Sequence, residues 1–137
     1  MSTQPPINFV QEGSITVGTI ATTSVLDALN VSAFGQCALE YVRDKPGLNL
    51  LLNFEHVTYL SSAVLSELIR INDAVTKGGG AVRLCALEEN LQEVFKITNL
   101  DQVFVIYGPA KDAVKRYERS IKLNEQEESW QRFSKEE

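Results

Sequence analysis

Two adjacent hydroxyls, Ser61 and Ser62, stand where an apolar run gives way to a helical pattern, and they are the side chains best placed for chemistry. A serine acts as a nucleophile only with a base to take its proton. The single histidine, His56, lies in the connection EHVTY beside Glu55, with no second orienting carboxylate or metal partner in view. It reads as a solvated loop residue. Cys37 and Cys85 lie far apart without a CxxC pair, each beside apolar residues, and read as buried free thiols. Asp27, Asp44, Asp73, Asp101 and Asp112 fall in different elements and define no acid–base pair. The glycines at 78, 79 and 80 follow a helical pattern and precede a strand pattern, with Lys77 before them. A phosphate-cradling loop runs the other way, from strand to helix, so the triplet reads as a helix end and turn. No catalytic residue, metal site or cofactor is expected, and the chain reads as a non-enzyme.

Two roles stay open for the serine pair. As an N-cap, a serine oxygen accepts from a free amide of the first helical turn. Neither Ser61, with Val64 three positions on, nor Ser62, with Leu65, completes a capping box. As a phosphoacceptor, a serine at a helix start places its phosphate near free amides and the positive end of the macrodipole. The modification then adds about −1.5 to −2 charges to an exposed surface and leaves the fold nearly intact.

The elements that must position this pair follow from periodicity. Residues 7 to 11 and 14 to 20 alternate in polarity around Glu12-Gly13, the pattern of a half-buried hairpin. After the linker ATTSVLDAL, a helix is expected from 29 to 43, with Leu29, Ala33, Phe34, Ala38, Leu39, Tyr41 and Val42 inward. LNLLLNF, 48 to 54, suits a strand covered on both faces. A helix over 62 to 77 is read with Leu65, Leu68, Ile69, Asn72 and Val75 as its inner stripe. Then come a strand at 81 to 87, a helix at 88 to 99 packing Leu91, Val94, Phe95 and Ile97, a strand at 103 to 107, and a helix from Pro109 to 122. Alternation of this kind predicts an α/β fold: a mixed, mostly parallel sheet opened by an N-terminal hairpin, with about four helices. Residues 1 to 122 read as one domain, and 123 to 137 as a charged, mobile extension that Trp130 and Phe133 can anchor.

Bulk properties narrow the partners. With 137 residues, 44% hydrophobic and 23% charged, the chain suits one globular domain. Its formal charge of −5 lacks the clustered cations that nucleic-acid binding needs. No apolar run approaches the roughly 18 residues of a membrane span, so no membrane insertion is expected. MSTQPPINFV carries neither a basic n-region nor a long apolar stretch, which reads against a signal peptide and makes the cytoplasm the expected location.

The ordered set of motifs resembles the STAS domain family, typified by bacterial anti-sigma factor antagonists. In that family a strand ends in a pattern close to Asp-Ser-Ser-Gly or Asp-Thr-Ser-Gly before an amphipathic helix, a glycine turn and an apolar strand. Here the chain has Leu60-Ser61-Ser62-Ala63, then VLSELIRINDAVTKGGGAVRLCAL. KITNLDQVFVIYGPAKDAV is similar to the family's Thr-Gly-Leu-Asp turn and final helix, and LDALNVSAF to the entry into its first helix. The likeness spans about residues 7 to 118. It implies that Ser62 is the phosphorylation site, with Ser61 as its substitute. Tyr59, Leu60, Ser61, Ser62, Ala63, Val64, Ser66 and Glu67 would form the partner-binding surface. The implied partners are an anti-sigma factor that is also a serine kinase, and a phosphatase; a homodimer stays open. Leu60 stands where the motif has aspartate and Ala63 where it has glycine, which makes the presented patch more apolar. Two rivals remain: an accessory subunit docking on a membrane transporter ATPase without phosphorylation, and a small enzyme or nucleotide binder on a flavodoxin-like fold. For the last, LSSAVL is a poor phosphate loop.

Overall fold

The computed structural model describes residues 6–21 and 31–135, with side chains through Leu123. Strand β1 (Ile7–Glu12) turns through Gly13-Ser14 into β2 (Ile15–Ile20). Gly13 takes φ +64°, the conformation a tight two-residue hairpin asks of its first turn position. Helix α1 (Val31–Val42), strand β3 (Asn49–Asn53), helix α2 (Ser62–Lys77), strand β4 (Ala81–Cys85), helix α3 (Glu89–Ile97), strand β5 (Val105–Tyr107) and helix α4 (Ala110–Lys135) follow. A short 3-10 turn over Leu100–Gln102 precedes β5. The sheet order is β1-β2-β3-β4-β5; β1 and β2 pair antiparallel and every later pair is parallel. This is the mixed, mostly parallel α/β sheet that the alternation predicts, with four α-helices among the described residues.

One topological fact divides the core. The crossovers from β2 to β5 all step in the same direction across the sheet, so right-handed connections place α1, α2 and α3 on a single face. Leu50, Leu52, Val82 and Leu84 point to that face and meet Phe34 and Ala38 of α1, Val64, Leu68, Ile71 and Val75 of α2, and Leu91 and Phe95 of α3. The intervening residues, Ile15, Val17, Leu51 and Cys85, face the other way and meet Ala113 and Tyr117 of α4. Tyr117 is fully buried, donates to the Ala81 carbonyl at 2.8 Å, and stacks under the Arg83 guanidinium at 4.4 Å.

Several inner stripes rotate relative to the periodicity reading. In α2 the buried residues are Val64, Leu68, Ile71 and Val75, while Ile69 is 39% exposed and Asn72 half-buried. Counting back from Val75 by four and three gives this line; starting it at Leu65 shifts it by one position. In α1 the core takes Val31, Phe34, Gly35, Ala38 and Val42, and leaves Ala33 outside. Ile97, expected inside α3, is 79% exposed. Cys85 is fully buried, as expected, and burial pushes its thiol up to about 12, whereas Cys37 is half-buried. The linker residues 22–29 and the side chains of Trp130 and Phe133 lie outside the described residues. Helix α4 runs 13 residues past the expected end at 122, to Lys135. The stretch NEQEESWQR contains no Gly or Pro and is built largely of good helix formers, so nothing local stops it.

Candidate functional site

The segment from the end of β3 to the first turns of α2 builds the site. After Asn53 the chain leaves the sheet, and Phe54 and Val57 drop into the core. The Asn53 side chain donates to the Glu55 carboxylate at 2.9 Å and accepts from the Glu55 amide at 3.1 Å, fixing the exit. His56 stays exposed, 3.8 Å from Glu55, as a loop histidine.

The cap falls to one serine of the pair. Ser61 is the N-cap of α2, in extended conformation (φ −89°, ψ 164°), and its Oγ accepts from the Val64 amide at 3.4 Å. Ser62 is the first helical residue and lies exposed. Its carbonyl accepts from the Ser66 hydroxyl at 3.3 Å. A helix leaves its first amides without intrahelical partners, and no acidic residue occupies the first turn of α2 to complement them. The hydroxyl of Ser62 is therefore presented at the positive end of a 16-residue helix, on the outer surface.

Around it the expected rim separates into two sets. Tyr59 is 64% exposed, and Ala63 and Ser66 are exposed. Leu60 and Val64 correct the expectation: they are 7% and 0% exposed and belong to the large core. Leu60 precedes the N-cap and Leu65 is the fourth helical residue, the spacing of a hydrophobic staple. That pattern in the sequence is the signal that marks Leu60 as an inward residue. Glu67 is half-hidden between α1 and α2, its side chain 15% exposed, and accepts both contacts from Arg70 at 3.1 and 3.2 Å. It fits there because Gly35 of α1 has no side chain; a Cβ at that position would lie 2.7 Å from the Glu67 carboxyl carbon. Ile69, read from periodicity as core, joins the exposed face of α2 one turn beyond Ser66. The resulting surface is small, weakly polar and led by a hydroxyl.

No group of three or more His, Cys, Asp or Glu side chains suited to a metal ion occurs among the described residues. No helix there is long and apolar enough to cross a membrane.

Solved structures share this architecture. An anti-sigma-factor antagonist (STAS) domain protein from Planctomyces limnophilus superposes with a TM-score of 0.73 at 19% identity, covering 81% of this chain and 97% of its own. An anti-sigma factor antagonist from Mycobacterium paratuberculosis gives 0.69 at 21%, covering 86% and 99%. The murine solute carrier 26 family member A9 anion transporter gives 0.67 at 14%, covering 80% of this chain and 18% of the transporter. At these identities the likeness speaks to fold. The STAS domain family model matches residues 7–115, which take in the whole sheet, helices α1 to α3 and the start of α4. The chain belongs to the STAS domain family.

Proposed function

We propose that this protein is an anti-sigma factor antagonist: a cytoplasmic regulatory module that binds an anti-sigma factor with serine kinase activity and is released when Ser62 is phosphorylated. The observation that carries the reading is the division of labour at the start of α2. Ser61 serves the helix as its cap, so Ser62 is free to be modified without unmaking the helix. The exposed side chains of Tyr59, Ala63, Ser66 and Ile69 supply the docking surface, with Glu67 at its edge. A phosphate there adds about −1.5 to −2 charges to a patch that must be desolvated on binding. Like-charge contact in such an interface costs several kcal/mol, and each 1.4 kcal/mol is about tenfold in affinity. A phosphatase then restores the binding form.

Capture from a native cytoplasmic extract with Ser62→Ala and Ser62→Asp proteins tests the switch. The alanine form should retain the kinase and the aspartate form should lose it. Incubation with the captured kinase and ATP should place phosphate on Ser62 in the unmodified chain. Equal capture by both variants, with neither serine phosphorylated, leaves the phosphoswitch without support.

A second reading has one observation in its favour. The same fold occurs within a membrane transporter, and Leu60 replaces the motif's aspartate with a core residue. On that reading the same face of α2 docks on a transporter ATPase and is never phosphorylated. Co-purification with a membrane ATPase in place of a soluble kinase distinguishes it.

A further inference from the structure

The single-direction strand order leaves the second face of the sheet thinly covered. Among the described residues three helices pack on one face and α4 alone serves the other, resting on residues of β2, β3 and β4. Strand β1 projects beyond it. Val10 of β1, which points to the α4 side opposite Val17, is 50% exposed as a result.

Between the hairpin and α4 runs a groove of about 590 Å³, within the range of small-molecule sites. Its apolar lining is aliphatic, chiefly Val10, Val17 and Val114. Lys111 and Lys115, one turn apart on α4, line it as well. Among the described ion pairs neither lysine has a carboxylate partner. Glu12 is the one carboxylate in the lining. Asn53 is 3% exposed, and both ends of its amide are already engaged by Glu55, so it asks for no ligand. Near the hairpin turn, Glu118 packs against Gly13.

We propose that this groove binds one small amphipathic anion, an alkyl-chain carboxylate taken up as a monomer. The chain lies along the valines, and the carboxylate sits between Lys111 and Lys115. Removing the exposed surface of Val10, half-exposed where Val17 is buried, from water favours an apolar tail at roughly 25 cal/mol per Å². Two ammonium groups on one helix face supply charge-assisted hydrogen bonds to an anionic head. The lining offers no aromatic ring on which a nucleobase stacks. Ser62 starts a helix on the opposite face of the sheet, so this site stands or falls independently of the phosphoswitch.

Decanoate, kept below its micelle concentration and titrated into the full chain, is the test, with amide shift mapping and calorimetry as readouts. Saturable binding at one site is expected, with shifts gathered at Val10, Val17 and Val114. A Lys111→Glu, Lys115→Glu double variant should lose about tenfold or more in affinity. Val10→Ser, at an exposed position that the fold tolerates, should weaken binding while melting normally. Decanol, the same chain without the charge, should bind at least about tenfold more weakly. Unsaturable binding, shifts centred instead on the exposed Ile97, Val103 and Val105, or equal affinity for decanol or for the double lysine variant overturns the proposal.

Discussion

Substitution at Ser62 should separate stability from association, because charge at this position acts on the two in opposite directions. Helix α2 has no acidic residue in its first turn. An aspartate at Ser62 therefore meets the positive end of the macrodipole unopposed and should stabilise the fold by about 0.3–1 kcal/mol. For a domain of this size that is a rise in Tm of about 1–4 °C. Ser62→Ala removes an exposed hydroxyl that serves no cap, and should change stability by less than about 0.5 kcal/mol. Ser61→Ala removes the cap itself. The bond it loses is long, 3.4 Å, so the cost should fall in the lower part of the capping range, about 0.5–1 kcal/mol. Thermal melts of the three variants then rank Ser62→Asp highest and Ser61→Ala lowest. Partner binding should rank differently: Ser61→Ala and Ser62→Ala bind, and Ser62→Asp does not. If Ser62→Asp loses stability and binding together, its failure to bind reports a damaged helix, and the electrostatic account of the switch is wrong.

Other positions give sharper tests of packing. Leu60→Asp, which restores the motif's aspartate, exchanges a 7% exposed core leucine for a carboxylate; denaturant melts should show a loss of about 2–5 kcal/mol. Gly35→Ala brings a Cβ onto the Glu67 carboxylate, which must swing away from Arg70. A gain of about 0.5–1 kcal/mol in helix propensity offsets this, so Tm should move little while partner affinity falls. Tyr117→Phe removes a buried donor to the Ala81 carbonyl and should cost about 1–2 kcal/mol by the same melts. Burial raises the ionisation of Tyr117 above its ordinary value, and that of Cys85 to about 12. In both cases the neutral form is favoured in the fold, so these contributions are complete below pH 9 and are lost as pH rises: that of Cys85 between its ordinary 9.0 and about 12, and that of Tyr117 from its ordinary 10.0 upward. Stability measured from pH 8 to 11 should decline, and Cys85→Ala together with Tyr117→Phe should flatten the decline.

The order and type of elements were legible because each carries its own period and its own stop. LNLLLNF has no polar alternation and becomes the central strand β3; Val31 to Val42 and Ser62 to Lys77 keep helical spacing and become α1 and α2. Rotation about the helix axis was less legible. Val64, Leu65, Leu68, Ile69 and Ile71 are all apolar, so the buried line is chosen by the sheet, which takes Val64 and Ile71 and turns Ile69 out. The choice of Ser61 over Ser62 as cap is set by where the helical backbone begins, at Ser62, which neither serine's local sequence decides. The tuck of Glu67 against Gly35 needs two helices brought together from residues 32 apart in sequence, and no local pattern announces it. The exposure of Val10 on the back of β1 depends on strand order, which a list of elements does not contain.

Replacing the motif's aspartate with Leu60 changes where a phosphate at Ser62 would exert its effect. From Gly47 to Ile69 the chain has no lysine or arginine, and Arg70 is already paired with Glu67. No lysine or arginine on this segment is therefore free to clasp a phosphate and reorder the loop in response. Leu60 is fixed in the core and Ser61 is fixed as the cap, so the helix start is held with or without the modification. The free-energy cost of the added charge must then fall on the complex, at the moment the patch is desolvated, and not on the protein alone. A switch built this way needs no second conformation. Amide shifts on phosphorylation should be confined to the first turns of α2 and the residues just before it, and any spread into β4 or α4 would point to a conformational mechanism instead.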